Sequence, residues 1–173
     1  MQLKATGLLL VTLVLPALSL AQTKISGAVK CGKPDHEQKI DIGDKPGHAY
    51  AISQGKCAWT KPMTIAGIQT KDDVGTNFAE TTSTGARVRG YVLGTMSNGD
   101  KFTVRTEGTD TVKDGRPQSS TGTWSFASGT GKIKGIQGKG TYKGKPDADG
   151  TMVSRLRANT RCRNNLSRVK STE

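Results

Sequence analysis

The chain has 173 residues, with 26 Lys or Arg against 14 Asp or Glu, and a formal net charge of +12. Its length fits one domain with a sizeable core, and no segment after the N-terminus is apolar enough to predict a membrane-spanning helix. The charge favours acidic partners such as polyanions, anionic lipid or cell-wall polymers, although it also promotes solubility.

The first 21 residues predict a secretory signal peptide. A lysine is followed by an apolar run over residues 8–20 and by small residues before a cleavage point after Ala21. A retained anchor is the alternative, but the run is short for a bilayer. We therefore expect a periplasmic or secreted protein, with a mature domain over residues 22–163 and a basic flexible tail over residues 164–173.

Three cysteines follow the cleavage point, an odd number for an oxidising compartment. We predict a disulfide between Cys31 and Cys57, worth about 3 to 4 kcal/mol by loop entropy. Cys162 is then a buried or reactive free thiol, unless it replaces one of the other two in the bridge.

The mature region predicts strands, because helical periodicity is almost absent and period-two alternation recurs. From Arg87 to Met96, glycines and apolar residues alternate with polar or larger ones, and the segment from Lys101 to Glu107 continues the pattern. Between them, Asn98-Gly99 predicts a type I′ hairpin turn. These two segments therefore form a hairpin.

Further reversals are predicted at Asp114-Gly115 and Asp149-Gly150. The front half is less regular, with candidate strands over residues 38–42, 49–54, 63–70 and 76–83. Reversals lie roughly 15 to 20 residues apart, farther than is typical of β-sandwiches. The predicted fold is all-β, a single antiparallel up-and-down β-barrel of about eight strands, which would also remove exposed sheet edges.

The segment GTGKIKGIQGKGTYKG, residues 129–144, resembles a phosphate-binding loop only superficially. It lacks the spacing of a Walker loop and leads to a proline and a turn where a dinucleotide site needs a helix. As a strand bulged at Gly135, it directs its isoleucines, two glycines and Tyr142 inward and its lysines outward. The inward glycines would bend the wall or leave room for a bulky neighbour such as Trp124.

Three motifs carry a family resemblance: GTWSF at residues 122–126, GTGK at residues 129–132 and KGIQGKGTY at residues 134–142. Together they resemble a signature of uncharacterised exported bacterial proteins, which is itself similar to the glycine-rich strands of allene oxide cyclase and dirigent barrels. The resemblance covers about residues 31–150 and implies a calycin-like, allene-oxide-cyclase-type barrel. It assigns no catalytic residue, because the acidic and aromatic pocket residues of the plant proteins match no position here.

Candidate ligand-binding residues are the aromatic side chains of the predicted strands and one acid that shares the alternation of Phe78. They are Phe78, Glu80, Phe102, Trp124, Phe126 and Tyr142. An eight-stranded barrel is just wide enough to be filled by side chains or to hold one small ligand. Packing is the alternative role for the aromatics, and a position at the rim is the alternative for the acid.

A basic surface is predicted on neighbouring strands, where a solvated barrel exterior is the alternative interpretation. Its residues are Lys132, Lys134, Lys139, Lys143, Arg155, Arg157, Arg161 and Arg163. Few aromatic residues lie between these charges, so specific nucleic-acid binding is not expected.

No metal or cofactor site is predicted. The spacings of Cys31, His36, His48 and Cys57 match no paired-ligand zinc pattern, and export favours a disulfide. The dipeptide Asp35-His36 has no positioned nucleophile that would make it a catalytic pair.

Three functions follow as hypotheses. The first is binding of a small apolar ligand in the barrel without catalysis. The second is an isomerase or cyclase acting on a small apolar substrate by positioning it, which an inward ionisable residue beside a cavity would favour. The third is binding of a polyanion or envelope surface through the basic outer face.

Thiol counting under denaturing, non-reducing conditions tests the predicted cysteine pairing. We expect one free thiol per chain, because Cys31 and Cys57 are bridged and Cys162 is not. A count of zero or three would contradict the pairing.

Overall fold

A computed structural model describes residues 22–114 and 116–162. They form ten strands and a single turn of 3-10 helix at Gly131–Ile133. The strands are β1 (Thr23–Cys31), β2 (His36–Asp41), β3 (Ala49–Lys61), β4 (Thr64–Ile65), β5 (Ile68–Thr82), β6 (Gly85–Met96), β7 (Lys101–Lys113), β8 (Arg116–Gly129), β9 (Ile136–Pro146) and β10 (Met152–Cys162). The predicted signal peptide and tail lie outside the described residues, as do Gly115 and Arg163.

Eight of the strands close into an antiparallel barrel. Strands β1, β10, β9, β8, β7, β6 and β5 are neighbours in that order, and β3 pairs with β5 and with β1. Strand β10 pairs with β9 from Met152 to Cys162 and with β1 from Met152 to Thr160, so the basic C-terminal segment completes the wall. The predicted eight-stranded all-β barrel is confirmed, with β2 and β4 added to β3 and β5.

One end of the barrel is filled by an apolar core. We call it the closed end, where β6 ends and β7 begins. The side chains of Met63, Ile65, Met96 and Ile133 are fully buried there and pack in one cluster with Phe102. Burial of large aliphatic side chains contributes about 1.5 to 3 kcal/mol each. This end of the interior is therefore solid.

Glycines make room for large inward side chains. Gly108 on β7 and Gly122 on β8 are cross-strand partners, and both lie against the ring of Tyr142. A methyl group at Gly122 would also overlap the backbone carbonyl of Glu107, which cannot move without distorting the sheet. Gly108 and Gly122 thus make room for Tyr142. Of the glycines predicted to leave space for Trp124, Gly140 is its cross-strand partner, although the atoms nearest to a Cβ added there belong to Arg157 and Ala158.

The β6–β7 turn differs from its predicted type. The Gly99 N–H donates to the Met96 carbonyl at 3.0 Å, and Gly99 has a φ of 89°. Asn98 has no positive φ, which excludes the type I′ turn, because that turn needs two left-handed residues. Instead, Asn98 Oδ1 accepts a hydrogen bond from the Asp100 N–H at 3.1 Å.

The segment before β9 also differs from its prediction. Residues 130–135 form the 3-10 turn and the residues around it, so the predicted strand with a bulge at Gly135 is wrong there. The Lys132 N–H donates to Asp100 Oδ2 at 3.0 Å, and the Lys101 N–H donates to Thr130 Oγ1 at 2.8 Å. These contacts with the β6–β7 hairpin favour a turn. From Ile136 onward, the predicted inward glycines and Tyr142 are confirmed.

The front strands differ from the prediction both in their lengths and in where one strand ends and the next begins. Strand β3 continues to Lys61, well past the predicted limit of residue 54. The candidate strand over residues 63–70 is interrupted by Ala66 and Gly67, whose φ values of 50° and 79° form a reversal between β4 and β5.

Replacement of Gly122 by alanine tests the tight packing around Tyr142. We expect Gly122→Ala to lower the free energy of unfolding by about 1 to 3 kcal/mol, because the added methyl group forces backbone or ring displacement. The matched control is Gly32→Ala, a position with no atom within 4 Å of the added carbon. Urea unfolding followed by tryptophan fluorescence measures both, and equal stability of the two variants would contradict the packing.

Candidate ligand cavity at the open end of the barrel

The half of the interior away from the apolar core is lined by small or polar residues. Ser53, Asn77, Gly90 and Thr106 are consecutive cross-strand partners, so their side-chain positions share the inner face. All four keep partial solvent exposure although they face inward. Solvent therefore enters this half, which we call the open-end cavity.

An acid, a serine and a tyrosine meet on one wall of the open-end cavity. Asp110 on β7 is the cross-strand partner of Ser120 on β8. Burial raises the pKa of Asp110, while a hydrogen bond from Ser120 opposes that rise. Burial also raises the pKa of Tyr142, with Ser120 again opposing and the charge of Asp110 adding to the rise. This wall of the cavity thus presents a carboxyl group, an alcohol and a phenol close to one another.

A second inward acid lies deeper, beside an indole. Asp73 is 7% exposed, and burial raises its pKa to about 7, with Trp59 lowering it and the charge of Asp72 raising it further. Within the described part of the chain, Asp73 Oδ1 and Trp59 Nε1 are buried without a hydrogen-bond partner of ordinary geometry. Leaving such groups unpaired costs about 1 to 3 kcal/mol each. Burial therefore destabilises the charged form of Asp73 relative to its neutral form.

Four of the predicted ligand-binding residues face the interior. Phe102 and Trp124 belong to the buried core and contact Phe126 edge to face, with ring centroids 5.9 and 5.2 Å apart. Tyr142, half-buried, extends from the edge of this core towards Gly108 and Gly122. Of the four, Tyr142 is the one that contacts the open-end cavity.

The other two, Phe78 and Glu80, lie on the outer face, so the prediction that they line the interior is wrong. Phe78 stacks on the exposed Tyr50 at 5.3 Å and lies 5.0 Å from the Arg89 guanidinium. Glu80 Oε1 is 3.2 Å from His48 Nε2. The inward positions of β5 are Asn77 and Ala79, the partners of Ser53 and Ala51.

The sequence analysis missed Asp110, Ser120, Asp73 and Asn77. Asp110 could have been found, because it is the second inward position of β7 after Thr106 in the predicted alternation. Asp73 and Asn77 were missed because Phe78 was assigned to the inner face. The pairing of β5 runs without interruption from Asp73 to Thr81 and places its odd-numbered residues inward.

The predicted basic surface is only partly assembled on the strands. Its residues on β9 and β10 are exposed and face outward, and Lys143 pairs directly with Arg155. Lys132 and Lys134 lie in and beside the 3-10 turn, so their predicted place on a strand is wrong. The remaining members on the strands are Lys139, Arg157 and Arg161.

The cysteines are paired as predicted. Cys31 and Cys57 are cross-strand partners joined by a disulfide with a Cα–Cα distance of 4.2 Å, and Cys162 is a free, half-buried thiol whose pKa burial raises. Across residues 22–114 and 116–162, no three His, Cys, Asp or Glu side chains are grouped to hold a metal ion. No helix in the same residues is long and apolar enough to cross a membrane.

Comparison with solved structures finds dirigent proteins among those similar to this chain. The pterocarpan synthase dirigent protein PsPTS1 has 9% identity and a TM-score of 0.45, over 82% of this chain and 96% of that one. The pterocarpan synthase dirigent protein GePTS1 has 10% identity and a TM-score of 0.45, over 90% and 98%. No family model and no curated protein matches the chain. At such low identity, no residue role passes from those proteins to this one.

Replacement of Asp73 by asparagine tests the buried acid. The pKa of Asp73 is about 7 in the folded protein and 3.8 for an ordinary aspartate. Between these values the folded protein binds more protons than the unfolded chain, so it loses stability as pH rises through them. The full loss is roughly 4 kcal/mol, at 1.36 kcal/mol per pKa unit. Asp73→Asn removes this ionisation, so its stability relative to the parent should rise from pH 4 to pH 8.

Urea unfolding at pH 4, 6 and 8 measures the effect. The control is Asp35→Asn, which makes the same substitution at an exposed position between β1 and β2. Parallel profiles for the parent and Asp73→Asn would show that Asp73 does not titrate in this range.

Proposed function

We propose that this protein is an exported binding protein that holds one small, largely apolar ligand in the open-end cavity. The observation that carries the proposal is the contrast between the two halves of the interior. The closed end is packed with large aliphatic side chains, whereas inward residues at the other end are small and partly exposed. A barrel of eight strands has the right width for one such ligand.

The cavity wall favours a ligand with an apolar body and at least one hydroxyl group. Gly90 and Ala79 present little side chain, which leaves space for a flat or compact body. Asp110, Ser120 and Asn77 offer donors and acceptors to the polar end. Pockets of this kind combine apolar contact with a few placed polar groups.

Export is part of the proposal and is supported by the Cys31–Cys57 disulfide, since such bridges persist in oxidising compartments. The signal-peptide pattern of residues 1–21 agrees with it. The location remains to be measured, by identifying the N-terminus of the protein recovered from the cell envelope or medium.

An isomerase or cyclase is the second candidate, favoured by Asp110 beside Tyr142. Burial raises the pKa of the Asp110 carboxyl group, which favours its use as a general acid or base, and the Tyr142 hydroxyl can donate a hydrogen bond to a developing oxyanion. Asp110→Asn separates the two candidates. The variant keeps a hydrogen-bonding side chain of the same size but removes the ionisable proton. In an isomerase or cyclase it should abolish conversion of the bound molecule even at ligand concentrations that saturate the site, whereas in a binding protein it should alter affinity alone.

Ligand binding is tested by native mass spectrometry of protein from its own compartment and by titration with 2-naphthol, which has an apolar body and one hydroxyl. We expect saturable 1:1 binding. Ala79→Phe, which fills the cavity, should weaken it at least tenfold. Ala58→Phe adds the same ring to an exposed position of β3 and should leave affinity unchanged. Absence of both a co-purified ligand and 2-naphthol binding would refute the proposal, as would equal losses in the two variants.

A further inference from the structure

The outer surface of five consecutive strands, β1, β10, β9, β8 and β7, contains a depression of about 1380 Å³, which we call the outer groove. Its cations are Lys24, Arg105, Lys139, Arg157 and Arg161, and Glu107 is the one acidic residue in its lining. Lys24 and Arg105 were not among the residues of the predicted basic surface. The groove therefore joins charges that lie far apart in the sequence.

The cations of the outer groove are regularly spaced. Lys24 pairs with Asn159, Asn159 with Lys139, Lys139 with Ser125, and Ser125 with Arg105. Neighbouring strands lie about 4.8 Å apart, so cations on alternate strands of this row recur about every 10 Å. An amide and a hydroxyl side chain stand between them. The row thus alternates a positive charge with a neutral hydrogen-bonding group.

These charges are not neutralised by the protein itself. The ion pairs found in residues 22–114 and 116–162 involve Lys30, Lys39, His48 and Lys71. The side chains of the groove bond neutral partners instead. Arg161 Nε donates to Gln137 Oε1 at 3.0 Å, and Arg105 donates to the Tyr91 hydroxyl at 2.8 Å. Their positive charge remains available to an external anion.

Nucleic acid fits the groove poorly, because single strands are held by exposed aromatic faces on which bases stack. Trp124 borders the groove but is 3% exposed, with its indole in the barrel core. Tyr91 stands at the end of the row, beneath the Arg105 guanidinium. The groove is therefore built for charge and hydrogen bonding, with no stacking platform along its length in the described strands.

We propose that the outer groove binds a linear acidic polysaccharide that carries a carboxylate or sulfate on alternate sugars. Such a chain repeats its charge over a length comparable to the cation spacing. Its hydroxyl groups can pair with Asn159, Ser125 and Thr141. The site lies on the opposite face of the wall from the open-end cavity, so it is independent of the proposed small ligand.

The test compares two charge-matched triple variants in titrations with a heparin octasaccharide and a hyaluronan octasaccharide at 0.15 M salt. The row variant is Lys24→Gln, Lys139→Gln and Arg105→Gln. The control is Lys132→Gln, Lys134→Gln and Arg155→Gln, which removes the same two lysines and one arginine outside the groove. We expect at least a tenfold loss of affinity in the row variant for at least one oligosaccharide and less than threefold in the control.

Circular dichroism and the unfolding midpoint establish that both variants fold. Equal losses in the two variants would show that net charge alone drives binding and would overturn the site. Tighter binding to oligo(dT) or to phosphatidylglycerol vesicles than to either oligosaccharide would overturn the ligand class. Lack of binding by the parent protein at 0.15 M salt would overturn both.

Discussion

The pairing of β3 along both of its edges is the interaction on which the rest of this molecule depends. Its contacts with β5 on one side and β1 on the other turn an open sheet into a closed barrel. Closure with eight strands fixes the width of the interior, so the inward side chains must together fit into a limited volume. Tyr142 fits because Gly108 and Gly122 have no side chain, and Trp59 packs against Gly27 in the same way.

Closure also divides the exterior into two chemically different faces. The strands from β7 round to β1 present the outer groove. Strands β3, β5 and β6 present exposed Tyr50, Ile52, Tyr91 and Leu93. The Arg105 guanidinium on β7 lies over the ring of Tyr91 on β6, at the boundary between the two faces. One wall thus separates a charged exterior from an interior whose polar groups are few and specifically placed.

The fold was predictable where local pattern and tertiary structure agree. The alternation of β6 and β7 assigned their inward faces correctly, because a half-buried strand must place every second residue in the core. It failed where distant contacts decide the conformation. Asp100 holds the segment around Lys132 in a turn, and the shift after Thr70 changes the register of β5. The candidate cavity was predicted only as a location, because Phe78 was assigned to the inner face of β5, whereas the odd-numbered residues Asp73 and Asn77 face inward.

The disulfide has a mechanical consequence at the exposed edge of the barrel. Strand β2 pairs with β3 alone among the described strands, and all of its residues are exposed, so its hydrogen bonds are open to water along the whole free side. Cys31 and Cys57 form the last residue pair of the β1–β3 ladder before the chain passes to β2. If β2 separates from β3, the separation therefore stops at the Cys31–Cys57 disulfide. The β1–β3 pairing that closes the barrel does not open from that end.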